Sequence, residues 1–236
     1  EADGLAFTEV WLPEGNWTDV FTHVRYRGGR IIRMLRDCGS IPVLAEDGTI
    51  LPLDRGLDNA CTLPEELDVY VLAGNGAFTL IEHSGNQRLE TRFDVRRDDD
   101  GTLRFTVESD ADETLPVRAF HIWFVNIEDG ELSTVIDGEP TALKTRHNRC
   151  LQAKLRLKRG QSASLTLKPA PRIELERVKA KLLECAVQIP QENLAKERWW
   201  RSLEAGANLE TLRAGVEALP IPEVWKDCMR ERLMID

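Results

Sequence analysis

The residues that could do chemistry in this chain are few and scattered. Asp98-Asp99-Asp100-Gly101 places three carboxylates ahead of a glycine, and clustered oxygens are what a calcium ion takes. The run lacks the regular oxygen spacing of a calcium loop and its distal Glu, so a solvated hairpin turn is the stronger reading. His121 beside Trp123 would suit a sugar-binding surface, where rings stack on sugar faces, but a strand interior is favoured. Trp199-Trp200 is the more suggestive pair. Neighbours on a helix point about 100° apart, so one ring should leave the core stripe and mark an interface, unless the buried face is wide. His147 near Cys150 lacks the third, orienting group that a nucleophile–base pair needs. No catalytic, cofactor-binding or metal residue is assigned from these patterns.

The five cysteines, Cys38, Cys61, Cys150, Cys185 and Cys228, are odd in number and far apart in sequence. Without C-x2-C or H-x3-H spacing, neither a disulfide framework nor a zinc site is expected. They read as reduced, partly buried thiols, which implies a cytoplasmic location. Asn16-Trp17-Thr18 matches a glycosylation acceptor, but a turn Asn beside a strand Trp explains it as well.

The chain has 236 residues, a net charge of −9 and an apolar fraction of 42%, enough to build a core. Its acidity argues against a nucleic-acid partner and against an anionic membrane surface. No apolar run is long enough to span a bilayer. No targeting segment is read at Glu1, and the chain is expected to be processed or cut from something longer.

Short strands cut by turns fill residues 1–167. Pro13-Glu14-Gly15-Asn16, Gly28-Gly29 and Glu46-Asp47-Gly48 are turn chemistry. No run before Val10 is long enough to supply a first strand pair. Residues 56–66 read as a linker. Leu67–Leu72, Phe78–Glu82, Phe93–Val95 and Leu103–Val107 follow as strands, with Gly74-Asn75-Gly76 a turn. Val117–Ile127 predicts a central strand: Phe120, Ile122 and Phe124 on one face, Val117, Ala119, Trp123 and Val125 on the other. Asp137-Gly138 is a two-residue hairpin signal, and Leu151–Leu157 and Ala163–Leu167 close the series. About eight or nine strands at this spacing read as a sandwich.

The period changes after Pro169. Leu175, Val178, Leu182 and Cys185 form a helical stripe, as do Leu209, Leu212, Val216 and Leu219. Pro190 and Pro220 break the pattern before a last helix, Glu223–Leu233. Isolated helices of this length are marginal in water, so the tail is expected to dock on a protein surface.

The order Leu12-Pro13-x-Gly15-x-Trp17-x-Asp19, then a Gly-rich turn, then Ile41-Pro42-Val43 and Gly48-x-Ile50-x-Pro52, resembles the sandwich that follows the catalytic barrel in glycoside hydrolase family 31, the α-glucosidase and α-xylosidase family. Phe78-x-Leu80-Ile81-Glu82-His83-Ser84-Gly85 extends the resemblance to a distal sandwich strand of the type F-x-L-Y-E-D-D-G, with Ile81 in place of Tyr and His83-Ser84 in place of the acidic pair. The resemblance covers about residues 5–168.

It implies two β-sandwich-like domains, the first incomplete; with the helical periodicity after Ile173, the expected chain is mainly β and ends in a small α-helical C-terminal unit that matches no standard feature of the family. The expected divisions are 1–58, 59–170 and 171–236. Family members hydrolyse α-glycosidic bonds with two carboxylates on a barrel, and the barrel's βαβ alternation is missing here. The implied role is therefore non-catalytic support of a parent enzyme's barrel, with no cofactor. The alternative is an independent carbohydrate-binding or protein-interaction module. The implied partner is the parent's barrel; the apolar face of the helical tail separately leads to the expectation that the chain can associate with a second copy of itself.

Overall fold

Period-two alternation up to Pro169 and a helical stripe after it give a mainly β chain with its helices at the C-terminus. The computed structural model describes residues 5–37, 39–56, 63–109, 117–148, 150–170 and 174–233. In chain order the strands are β1 (Leu5–Leu12), β2 (Asn16–Asp19), β3 (Arg25–Arg27), β4 (Arg30–Asp37), β5 (Leu44–Glu46), β6 (Ile50–Asp54), β7 (Glu66–Leu72), β8 (Gly76–Ser84), β9 (Gln87–Arg97), β10 (Leu103–Ser109), β11 (Arg118–Val125), β12 (Gly130–Ile136), β13 (Glu139–Pro140), β14 (Thr145–Asn148), β15 (Cys150–Leu157) and β16 (Ser162–Pro169). The helices are α1 (Glu174–Gln188), α2 (Asn193–Glu204), α3 (Leu209–Ala218) and α4 (Glu223–Arg232).

The chain divides into two units, residues 1–45 with 172–236, and residues 46–171. The first unit ends at residue 45 rather than near 58, and it takes in the helical tail. Ile50–Asp54 pair with β7 in register Ile50↔Val71, which joins them to the second unit's sheet. The helices share a unit with residues 1–45.

In the first unit, β1 and β4 form a two-stranded antiparallel ribbon, Leu5↔Asp37 through Leu12↔Arg30. A strand before Val10 therefore exists after all. Its outer face carries Phe7, Glu9 and Trp11 rather than an unbroken apolar run, which is why it does not read as a core strand. A three-stranded sheet, β3-β2-β5, completes the β part. Leu12, Val24, Tyr26, Ile32 and Met34 make its small core.

The helices build a second core. Val178, Leu182 and Cys185 of α1, Leu203 of α2, Leu212 and Val216 of α3, and Trp225, Cys228 and Met229 of α4 bury together with Leu5 and Leu35 of the ribbon. The tail thus docks on residues of its own unit. Gly206 separates α2 from α3, and Asn208 caps α3 with a reciprocal box: Thr211 N–H donates to Asn208 Oδ1 at 2.9 Å and Asn208 N–H to Thr211 Oγ1 at 3.1 Å.

The second unit is a sandwich of a six-stranded sheet, β13-β12-β16-β10-β9-β8, and a five-stranded one, β14-β15-β11-β7-β6. Phe93, Phe105, Phe120, Ile122, Phe124, Leu155 and Leu165 lie in its single core. β11 is the central strand expected from the sequence; it pairs parallel with β7 and antiparallel with β15. Two turns interlock backbone to backbone beside β7. A Cβ on Gly74 would fall 2.4 Å from the Gly48 nitrogen, so side chains are excluded there.

Candidate functional site

The first unit holds a buried polar network that no local pattern announces. Asp19, the last residue of the Trp17-x-Asp19 motif, accepts at Oδ1 from the N–H groups of Phe21 and Thr22 at 2.9 and 3.1 Å, and at Oδ2 from Arg36 Nη2. Arg36 Nη1 donates to Glu231 Oε1 at 2.8 Å, and Tyr26 Oη donates to the same oxygen at 2.5 Å. Leu35 N–H donates to Glu231 Oε2 at 3.0 Å, and Arg232 Nη1 lies 3.0 Å from that oxygen. Asp19, Tyr26, Arg36 and Glu231 are all buried. The paired charges balance, which is what burial of ions demands. Burial holds the Tyr26 phenol well above its ordinary range, and the Glu231 charge adds to that. The network ties α4 to β4; with every oxygen of Glu231 committed, it is a structural clamp rather than a reactive centre.

The same ribbon has an open side. β4 is buried on both faces from Met34 to Arg36 but exposes Ile31 and Arg33. Cross-strand pairing sets Trp11 opposite Ile31 and Phe7 opposite Leu35. Helix α4 covers Leu35 and Leu5, while Phe7, Trp11 and Ile31 stay 60%, 63% and 66% exposed. The Arg33 guanidinium sits 4.1 Å above the Phe7 ring, and its Nη1 lies 3.4 Å from Asp227 Oδ2. A groove of about 450 Å³ runs here, lined by Leu5, Phe7, Arg33, Leu35, Val224 and Asp227 among others. Large apolar side chains grouped on one strand face make this the candidate interaction surface.

In the second unit, His121 and Trp123 lie on the outer face of β11, half-buried, opposite Phe120, Ile122 and Phe124. His121 Nε2 donates to Glu66 Oε2 at 2.7 Å, and Lys154 Nζ reaches Glu66 Oε1 at 3.4 Å. These bonds, His121's foremost, hold the Glu66 carboxyl below its usual range. Trp123 Nε1 donates to Asp68 Oδ1 at 3.0 Å. Its ring stacks on that of Tyr70, centroids 5.5 Å apart and planes 10° apart. Leu51 pairs with Tyr70, and Gln152 with Trp123, in the same cross-strand row. A stacked ring inside such a row offers a sugar its edge more than its face. Sequence reasoning placed these two residues on one strand but not their partners, which come from β7 and β15.

The other singled-out residues serve local structure. Asp98–Gly101 is the β9–β10 turn: Thr102 N–H donates to Asp100 Oδ1 at 2.9 Å, and Arg104 Nε to Asp98 Oδ2 at 3.0 Å. The Thr102 amide keeps the Asp100 carboxyl below its ordinary value. Cys150 is buried, and burial pushes its thiol up to about 11, away from nucleophile chemistry. His147 lies in β14, but its side chain falls outside the described residues, as do Cys38 and Cys61. Trp199 and Trp200 both pack at the margin of the helical core. Among the described residues, no group of three His, Cys, Asp or Glu side chains could hold a metal ion, and no helix is long and apolar enough to cross a membrane.

No family model and no curated protein matches this sequence. Solved structures do match in fold. The chain is similar to the cycloalternan-forming enzyme from Listeria monocytogenes, solved with a pentasaccharide substrate, at 18% identity and a TM-score of 0.54, over 70% of this chain and 17% of that one. It is similar to the α-1,4-glucan lyase of Gracilariopsis lemaneiformis at 15% identity and a TM-score of 0.54, over 68% of this chain and 20% of that one. A weaker match is the GH31 α-xylosidase from Xanthomonas citri, 21% identical over 67% of this chain and 17% of that one, with a TM-score of 0.43. At such identities the likeness is one of fold, and it rests on the first two. The chain spans about a fifth or less of the length of these structures.

Proposed function

We propose that this chain is the non-catalytic C-terminal region of a glycoside hydrolase of family 31, of α-glucosidase or α-xylosidase type, and that it buttresses that enzyme's catalytic barrel. The observation that carries the reading is the open ribbon face. Phe7, Trp11 and Ile31 are exposed beside a groove, on a strand pair whose other end is already covered by helices. Burying three such side chains contributes roughly 1.5–3 kcal/mol each, enough to fix one domain on another. The barrel supplies both reacting carboxylates, and no carboxylate of this chain takes a catalytic role.

The resemblance carried by Leu12–Asp19 and Ile41–Pro52 supports the family. A carbohydrate-binding role is less favoured, because Trp123 and Tyr70 stack on each other rather than standing open. Val187 of α1 and Leu194 of α2 are exposed apolar positions through which the chain self-associates when no barrel covers it. Three described cysteines are free and buried, in keeping with a reducing, cytoplasmic setting. The test is the coding sequence upstream of Glu1. A (β/α)8 barrel in the same reading frame supports the proposal; a stop codon or an unrelated domain overturns it.

A further inference from the structure

Away from the open ribbon face, α1 and α4 bring two thiols together. Cys185 and Cys228 stand 43 positions apart in the chain, yet their Sγ atoms lie 3.0 Å apart, with Cys185 donating to Cys228. Both are buried in the helical core and neither is in a disulfide. Arg232 follows Cys228 by one turn on the same helix face, with its Nη1 3.0 Å from Glu231 Oε2. We propose that Cys185 and Cys228 form a reversible dithiol–disulfide site, oxidised by hydrogen peroxide to a covalent tie between α1 and α4.

A disulfide needs its sulfurs about 2.05 Å apart, so closure from 3.0 Å brings the two sulfurs about 1 Å closer. The two sulfurs are chemically unequal. The hydrogen bond from Cys185, and then the Arg232 charge, hold the Cys228 thiol below its usual value against the effect of burial. The same hydrogen bond, with burial, pushes Cys185 up. Arg232, one turn along α4 from Cys228, places its charge on the Cys228 side of the pair, so we assign Cys228 as the nucleophile and Cys185 as the resolving thiol. The Cys228 thiolate attacks one peroxide oxygen: an S–O bond forms, the O–O bond breaks, and hydroxide leaves to take the proton Cys228 had released, giving water. The Cys185 sulfur then attacks the sulfenic sulfur: the S–S bond forms, the S–O bond breaks, and the departing hydroxide leaves with the Cys185 proton as a second water. Two electrons pass from the thiols to the peroxide. Burial of both sulfurs selects a small oxidant over a peptide disulfide.

The experiment treats the chain with a modest molar excess of hydrogen peroxide, alkylates the remaining thiols, and maps peptides without reduction. The expected product is one cross-linked peptide pair containing Cys185 and Cys228, removed by dithiothreitol and accompanied by a rise in unfolding temperature. Cys150 should stay reduced. In Cys185→Ser, dimedone should label the Cys228 sulfenic acid left without its resolving thiol. The wild-type map decides the matter even where a variant fails to fold. Sulfinic acid at Cys228 without a cross-link, or both thiols still free to alkylation in denaturant after the peroxide treatment, would overturn the proposal.

Discussion

Glu231→Gln should cost the first unit more than any other single isosteric change in it. The carboxylate is buried and accepts from Tyr26 Oη, Arg36 Nη1 and Leu35 N–H, with Arg232 alongside. An amide keeps the shape but removes the charge and presents two donors where donors already point. Breaking a buried ion pair in this way costs about 3–5 kcal/mol, because it strands the opposite charge. Asp19 still pairs with Arg36, which places the loss toward the lower end of that range. Five of the six tryptophans, Trp11, Trp17, Trp199, Trp200 and Trp225, belong to this unit, so urea unfolding followed by tryptophan fluorescence reports on it. With a denaturant slope of about 1.5–2 kcal/mol per molar, the midpoint should fall by about 1.5–3 M urea. Glu223→Gln is the control: its bond to Arg230 is largely exposed and is worth at most about 1 kcal/mol. A Glu231→Gln midpoint no lower than that of the control would refute the clamp.

The remaining expectations concern single side chains. The Tyr26 phenol is held protonated above its ordinary 10.0, so the folded state binds that proton more tightly than the unfolded state does. Its contribution is complete below about pH 10 and is lost as pH rises further; Tyr26→Phe should lose about 1 kcal/mol at neutral pH and flatten the alkaline slope, read by urea titration at several pH values. Arg118, buried in the second unit, forks onto Glu82 at 2.6 and 3.0 Å and donates through Nε to Pro64 O at 2.9 Å. Arg118→Lys keeps the charge but not the fork, and should lower stability by about 2–3 kcal/mol in far-UV circular dichroism melts. Gly74→Ala places a methyl against the backbone of Gly48 and should cost about 3 kcal/mol or more, measured the same way; an unchanged melt would show that the two turns are not held together.

Legibility in the sequence followed the range of the interaction. β11 could be read residue by residue, because alternation is local: Phe120, Ile122 and Phe124 are the buried face. The stripe Val178, Leu182, Cys185 and the hairpin residues Asp137-Gly138, both at positive φ, were equally plain. β1 was not, since one of its faces is open and mixes Phe7 and Trp11 with Glu9. Tyr26 and Glu231 are 205 positions apart, and buried charges carry no periodicity, so the clamp left no trace. The motif that contains Asp19 gives no sign of its partner Arg36, 17 positions on. The contact of Cys185 with Cys228 is hidden in the sequence, because separation along the chain says nothing about helices that pack side by side. The open face of the candidate interface needed the register Trp11↔Ile31, which only the folded ribbon supplies.

The proposed role, support of a catalytic barrel by a chain without glycosidase chemistry of its own, makes a direct prediction. Turnover of an aryl α-glucoside and an aryl α-xyloside by the purified chain tests it most directly. The account predicts release of the aryl group no faster than in buffer, from folded protein. Turnover that survives rigorous purification, and disappears when one carboxylate of this chain is changed to its amide, would contradict it.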